Sequence, residues 1–330
     1  MTERLDVVGI GNAIVDVLAQ VEDDFLAAHA IPKGGMRLIG DDEAKALYDA
    51  MPPAREISGG SAANTIAGLA ALGAKTAYVG RVGDDQLGRI FAHDIQALGV
   101  GYDGPFVPVG AAGETARCLV LVTPDGERSM STYLGVSSGL LPGDIDTELM
   151  ARADWLYLEG YLFDLPEAKS AYERAITAVR QGGGKVAFTV SDAFCVARHR
   201  DDMRRLVEEH VDLLFANRGE LMALYEAEDL EGAVDAAAHQ VSMAAVTLSE
   251  DGALIAADRA RTAVPAIPVK VLDTTGAGDL FAAGFLAGVL RGHSPRDCAR
   301  MGCKAAAEVI SHIGARPEAD LAKLMEEIGL

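Results

Sequence analysis

Positive charge is what this chain has least of. Lys and Arg number 29 against 49 Asp and Glu, a formal net charge of −20 over 330 residues. A surface complementary to nucleic acid or to an anionic membrane is therefore not expected. Cysteine is scarce as well: Cys118, Cys195, Cys298 and Cys303 are scattered, with no C-x-x-C. They read as reduced, mostly buried thiols of a cytosolic protein. The seven histidines form no H-x-H or H-x-x-x-H pair, so a zinc site has nothing to start from. No apolar run reaches the ~18 to 20 residues of a membrane span, and no charged-then-apolar segment opens the chain. The expectation is a soluble, cytoplasmic protein with small-molecule partners, no nucleic acid and no membrane.

Aromatic residues are only 5% of the chain while half of it is hydrophobic and 36 residues are Gly. Small residues favour helices packed closely on a sheet over an all-β design. From Trp155 onward, apolar runs near 154–158, 185–190, 212–215 and 243–248 alternate with helical patterns near 166–181, 200–209 and, in pieces, 217–239. That alternation predicts a mostly parallel sheet with helices on both faces. Ligands of such sheets bind at the carboxyl ends of the strands.

The most informative stretch is Val271-Leu272-Asp273-Thr274-Thr275-Gly276-Ala277-Gly278-Asp279, followed by a small-residue helix pattern. Glycines at 276 and 278 let the backbone turn sharply and bare its N–H groups at a helix N-terminus, which makes an anion site. Asp279 falls in the first helical turn beside that site. An anion hole next to a carboxylate suits phosphoryl transfer to a hydroxyl, although an aspartate there is also ordinary capping chemistry.

Upstream, Leu5–Gly11 reads as a central strand. Gly9-x-Gly11-x-x-Ile14 lacks the third glycine of a dinucleotide fingerprint, and no long helix follows before Pro32, so a Rossmann reading is weak. Asn12 to Ala19 continues as a strand, which puts Asp16 at the end of a core strand. Residues 31–40 read as a hairpin, Arg55–Ser58 as a short strand, and Gly59-Gly60-Ser61-Ala62-Ala63-Asn64 as a second glycine loop opening onto a helix. Asp84-Asp85 reads as a helix cap. Thr115–Tyr133 reads as a hairpin turning at Pro124-Asp125-Gly126. The last helices are expected near 277–291 and 295–312.

The order of these motifs resembles the PfkB family of carbohydrate and nucleoside kinases, across nearly the full chain. The resemblance implies a single ribokinase-like domain over 1–330: a three-layer α/β/α body with a small β-sheet lid from about 14–40 and 115–134. It implies that Asp279 is the catalytic base and that Gly276, Ala277 and Gly278 with Asp279 form the anion hole. Asn12, Asp16, Gly59, Gly60, Asn64, Phe194 and Arg128 fall on the acceptor side. Asn217, Thr247, Ser249, Gly252 and Thr275, with Gly276 and Gly278, fall on the nucleotide side. ATP is the implied donor. Glu220 of Asn217-Arg218-Gly219-Glu220 would act on Mg²⁺ through water, although N-x-x-E is also a plain capping box. Ser249 stands where a glycine is usual in the T-x-G-x-x-G loop. Carbonyls of the Asp273–Thr275 loop and the Gly314–Pro317 segment leave room for K⁺. The opening Gly-Asn-Ala-Ile-Val-Asp and Ser191–Cys195 are most similar to the adenosine-kinase-like branch, where an aromatic near Phe194 stacks on the purine; the alternative for Phe194 is core packing. Against adenosine stand a ribose, fructose or keto-sugar acid acceptor, and, as a different class, a sensor that has lost turnover. Monomer and homodimer are both open.

Overall fold

The computed structural model describes residues 3–108, 110 and 113–330. Its main sheet has eight strands, in the spatial order Thr76–Val79, Leu5–Ile10, Ala153–Glu159, Lys185–Thr189, Leu213–Asn217, Met243–Thr247, Ala253–Ala257 and Ala260–Val264. The first six are mutually parallel, and the last two return antiparallel as an edge hairpin. Successive residues of one strand face opposite sides, as strand geometry requires. Val7, Tyr157, Ala187, Leu213 and Phe215 join one apolar core, and Val8, Leu156, Leu158, Val186 and Leu214 join the other. Helices Ser61–Ala71, Ala277–Leu290 and Pro295–Val309 cover the first core. Pro166–Gln181, Ala193–His210 and Arg218–Tyr225 cover the second. This is the three-layer α/β/α body expected from the alternation.

A smaller five-stranded sheet stands apart, in the order Met36–Leu38, Arg128–Tyr133, Ala116–Val122, Ile14–Gln20 and Arg55–Gly59. The hairpin across Pro124-Asp125-Gly126 is present, with register Val122 to Arg128 through Arg117 to Tyr133 and Gly126 at φ +86°. Three expectations need correcting. Residues 31–40 supply one three-residue strand, parallel to Arg128–Tyr133, because the acidic run Asp41-Asp42-Glu43 starts a helix at once. Asp16 is the third residue of a strand in the smaller sheet, not the end of a core strand, because the chain changes sheets between Ile10 and Ile14. The helix expected near 200–209 begins at Ala193, capped by Asp192, and bends at His199. Asp85 caps the helix Gln86–Ala97, accepting from the Gly88 N–H at 2.8 Å. All four cysteines are free and buried. Among the described residues no helix is long and apolar enough to cross a membrane.

Helices Ala277–Leu290 and Pro295–Val309 pack through glycine. A Cβ on Gly284 would lie 2.5 Å from the Met301 carbonyl oxygen, which is backbone and cannot swing aside. Alanine gains about 1 kcal/mol of helix propensity over glycine, but overpacking costs about 1–3 kcal/mol. Gly284→Ala should therefore lower the unfolding free energy by about 1 kcal/mol net, up to about 2, read as a lower urea midpoint. An unchanged or higher midpoint would mean that the two helices part without cost.

Candidate active site

The helix Ala277–Leu290 begins where Gly276 takes a left-handed conformation, φ +78° and ψ 0°. A Cβ there would lie 2.9 Å from Cα of Ala315, so glycine is required twice, by φ and by contact. No side chain caps this helix end. The Ala277 N–H reaches the Thr274 carbonyl at 3.2 Å, while the Gly278 and Asp279 N–H groups have no backbone partner among the described residues. Beyond its chain neighbours and its own helix backbone, none of the described residues comes within 4 Å of where a Gly278 Cβ would stand. An open space bordered by free N–H groups at a helix N-terminus is an anion site.

Asp279 projects from that first turn and is held from a second helix end. The Ser61 hydroxyl donates to its Oδ1 at 2.7 Å and the Asn64 amide to its Oδ2 at 2.9 Å. The Thr65 hydroxyl adds a bond to its carbonyl at 3.1 Å. Burial pushes the Asp279 carboxyl up to about 6, against the pull of Ser61, Asn64 and Arg316. A carboxylate poised near neutral pH is what general-base work needs.

The second helix, Ser61–Ala71, starts at Gly60, whose φ of +97° and approach to the Asn12 carbonyl exclude a side chain. Its end is capped by Glu159, 97 residues away in sequence. Glu159 is fully buried and accepts from the Ala62 N–H at 2.8 Å, the Asn12 N–H at 2.7 Å and the Asn12 amide at 3.1 Å. Burial raises its carboxyl to about 7 even so. Sequence reasoning missed Glu159, since a glutamate closing an apolar strand carries no local motif.

Asp16 lies against Gly59, where a Cβ would come within 2.5 Å of its Oδ2. Burial pushes Asp16 up to about 6, with Arg316 and Arg128 opposing. Asp16, Ser58, Cys118, Arg128, Thr275 and Arg316 line one cavity, with Arg55 at its wall. Asn12 and Asn64 spend their amide N–H groups on Glu159 and Asp279, and their buried amide oxygens have no partner. Arg128 reaches across from the smaller sheet. It forms an ion pair with Asp273 and donates to the Thr275 hydroxyl at 2.5 Å, while its buried Nε has no partner. Arg316, which the sequence reading noted only as part of a segment, donates to the Ser58 carbonyl at 3.1 Å and to the Ala63 carbonyl at 2.5 Å.

The remaining candidates are placed differently. Asn217 and Glu220 form a reciprocal capping box: the Asn217 N–H reaches Glu220 Oε2 at 2.7 Å and the Glu220 N–H reaches Asn217 Oδ1 at 2.9 Å. Burial raises Glu220 to about 7. Its carboxylate retains acceptor capacity, which fits a metal held through water, and no cluster of three or more metal-ligating side chains exists among the described residues. Thr247 ends its strand, Ser249 turns with φ +54°, and Gly252 at φ +94° sits 2.1 Å, by its would-be Cβ, from the Val264 carbonyl oxygen. Asp273 is already engaged by the Gly314 N–H at 2.8 Å, the Thr275 N–H at 3.0 Å and Arg128. Burial works upward on it, yet these partners hold its carboxyl below the usual range. A cation at this loop would have only backbone carbonyls to take. Phe194 is not core-packed: it is 80% exposed and lies outside the cavity around Asp16.

The raised value of Asp279 has a cost with a definite sign. The folded state binds its proton more tightly than the unfolded chain, whose aspartates titrate near about 3.9. The ionised carboxylate therefore destabilises the fold above about pH 6, and this penalty is lost as pH falls toward the unfolded value. Asp279→Asn should raise the unfolding free energy at pH 8 by about 1–2 kcal/mol. The gain should shrink from pH 6 to pH 4 in urea titrations. A variant less stable at pH 8 would show that the Ser61 and Asn64 bonds outweigh desolvation.

The pfkB family of carbohydrate kinases matches residues 36–321. A probable sugar kinase from Rhizobium etli is 47% identical, covers 99% of both chains and superposes with a TM-score of 0.91. Adenosine kinase from Sinorhizobium meliloti is 46% identical, covering 99% of this chain and 100% of its own, with a TM-score of 0.90. An uncharacterized sugar kinase of Archaeoglobus fulgidus is 31% identical over 76% of this chain and 96% of its own. With its fold, its uncapped glycine helix end and a family match over most of its length, this chain belongs to the pfkB family of carbohydrate kinases.

Proposed function

We propose that this kinase transfers the γ-phosphoryl group of ATP to a primary hydroxyl of a nucleoside, the 5′-hydroxyl of adenosine. The observation that carries the reading is Asp279, fixed by Ser61 and Asn64 beside the free N–H groups of the Gly276 helix end. Asp279 takes the proton of the attacking hydroxyl, and the Gly276–Asp279 amides stabilise the negative charge that develops on the transferred group. Glu220 would hold Mg²⁺ through water, and the metal would neutralise charge on the phosphates. Thr247, Ser249, Gly252 and Asn217 lie on the nucleotide side, and K⁺ has a place only at backbone carbonyls near Asp273–Thr275. The whole chain works as one kinase unit in the cytoplasm, with the smaller sheet as its lid.

Hydroxyl-rich acceptors are favoured by what the pocket offers. The Asp16 carboxylate on the cavity wall accepts hydrogen bonds, and the buried amide oxygens of Asn12 and Asn64, outside that lining, have no partner among the described residues. Phe194 presents an exposed ring that a planar base can cover, and a 46% identical relative is an adenosine kinase. One observation favours a second reading. The strands of the smaller sheet carry four arginines, Arg37, Arg55, Arg117 and Arg128: Arg37 pairs with Glu43, Arg117 with Glu114 and Arg128 with Asp273. Arg55 lines the cavity, and the described residues hold no ion pair for it. A sugar or sugar-phosphate acceptor would use that cation.

The deciding experiment measures ADP release with adenosine, inosine, ribose, fructose and fructose 6-phosphate, alongside thermal shifts for each. Adenosine should give the highest kcat/KM, and Asp279→Asn should lose at least about a hundredfold in turnover. A sugar outrunning adenosine would replace the nucleoside by the second reading. Thermal stabilisation without ADP release would point to a sensor, and near-wild-type turnover in Asp279→Asn would remove the base.

Gly278 gives an independent check, because nothing in the protein requires glycine there. Gly278→Ala should leave the urea midpoint unchanged or higher while raising the KM for ATP or lowering kcat at least about tenfold. Full activity in that variant would mean that no phosphate approaches this turn.

A further inference from the structure

The strand Ala153–Glu159 closes on a glutamate with no solvent exposure. A dry carboxylate is costly unless its oxygens are engaged, and the two oxygens of Glu159 serve different parts of the site. Oε1 accepts from the Asn12 N–H at 2.7 Å and the Asn12 amide at 3.1 Å, while Oε2 accepts from the Ala62 N–H at 2.8 Å. Neither backbone N–H has a backbone partner among the described residues. Asn12 lies in the crossing from the main sheet to the strand that carries Asp16. Ala62 lies in the first turn of the helix whose Ser61 and Asn64 hold Asp279. The two parts also meet at Gly59-Gly60, where the strand paired with Ile14–Gln20 runs into that helix. Gly60 has φ +97°, and its would-be Cβ lies 2.2 Å from the Asn12 carbonyl oxygen. No side chain at Gly60 could therefore cap the helix or stiffen the joint. The capping carboxylate comes instead from the main sheet, and Tyr172 anchors it by donating to the Glu159 carbonyl at 2.7 Å.

We propose that Glu159 is a positioning residue for phosphoryl transfer: its two oxygens lock the glycine joint between the smaller sheet and the helix Ser61–Ala71, and so hold the acceptor-side Asp16 in register with the base Asp279. The proposal rests on the kinase reading above for the roles of Asp16 and Asp279, while the lock itself rests on the three hydrogen bonds. Arg316 also spans the joint, from the Ser58 carbonyl to the Ala63 carbonyl, but it bonds only the strand and the helix on either side of the glycines. Among the described residues Glu159 alone hydrogen-bonds both the Asn12 crossing and the helix end. Ser61 and Asn64 stand one residue before and two after Ala62, so a slip of that helix end moves both groups that hold the Asp279 carboxylate. A misplacement of about 1 Å between reacting groups can cost about a hundredfold in rate, so the slip need not be large.

The test measures ADP release by the full chain with adenosine and MgATP. Glu159→Gln keeps the shape, but one end of an amide donates, so a donor must face either the Asn12 N–H or the Ala62 N–H. Its kcat should fall at least about tenfold, with the KM for MgATP within about threefold of wild type, because the Gly276 turn keeps its own supports. In a background carrying Ser61→Ala and Asn64→Ala the same substitution should cost less than about threefold, since its route to Asp279 is already cut. A smaller loss of kcat, a larger rise in KM, or a loss above about threefold in that background would reduce Glu159 to a structural strut and overturn the proposal. If Glu159→Gln does not fold, amide hydrogen exchange of the wild type decides. One opening of Glu159 frees both N–H groups, so Asn12 and Ala62 should show protection within about tenfold of each other. A wider gap, or free exchange at either, refutes the lock. If a sugar outruns adenosine, the same comparisons are made with that sugar. Retained turnover in Asp279→Asn would sink the base assignment alone, because exchange of the two amides judges the lock without reference to catalysis.

Discussion

Burying carboxylates close together is the constraint on which the rest of this structure turns. Asp16, Asp279, Glu159 and Glu220 are each pushed upward chiefly by loss of water. In a chain of net charge −20 there is no excess of cations to answer them. The fold answers mainly with dipoles. Glu159 and Asp279 sit at helix N-termini, where free N–H groups and the helix dipole favour negative charge, and Glu220 closes the first turn of its own helix. Hydroxyl and amide donors from Ser61, Asn64, Asn12 and Asn217 complete the set. The same economy explains how an acidic protein would bind a polyanionic nucleotide: the attraction is local and carried by backbone N–H groups, not by the field of the whole surface.

Glycine is what lets these carboxylates come so near the backbone. A Cβ on Gly11 would lie 2.6 Å from Glu159 Oε2, and one on Gly59 would lie 2.5 Å from Asp16 Oδ2. Gly60 and Gly276 are held by positive φ as well as by contact. Gly278 differs, with helical conformation and empty space before it. Three kinds of demand therefore hide behind one residue type: close approach of a side chain, a left-handed backbone, and room for something that is not protein.

Much of this was legible in the sequence, for reasons that can be traced. The parallel sheet followed from alternating apolar runs and helices, and the 271–284 turn from its paired glycines. The smaller sheet was only partly legible. The alternation from Asn12 to Ala19 gave a strand, yet nothing local said that the chain leaves the main sheet after Ile10, so Asp16 was put in the wrong one. The hairpin Ala253–Ala257 and Ala260–Val264 went unnoticed because it turns through Asp258 and Arg259 in left-handed conformation, without the glycine or asparagine that usually marks such a turn. Glu159 and Arg316 were invisible for a deeper reason. Their meaning lies in partners 97 and 258 residues away, and neither belongs to a local spacing that chemistry would single out.

The Arg128–Asp273 pair shows how the two sheets are made to act together. Arg128 belongs to the smaller sheet and Asp273 to the loop that becomes the Gly276 helix end, and their side chains are 13% and 1% exposed. A nearly dry ion pair contributes little net stability, but removing one partner strands a buried charge and costs about 3–5 kcal/mol. The Thr275 hydroxyl and the Gly314 N–H add further bonds to the same junction. The smaller sheet therefore cannot lift away from the loop without exposing or replacing that pair. A single guanidinium thus ties the smaller sheet to the loop that becomes the Gly276 helix end.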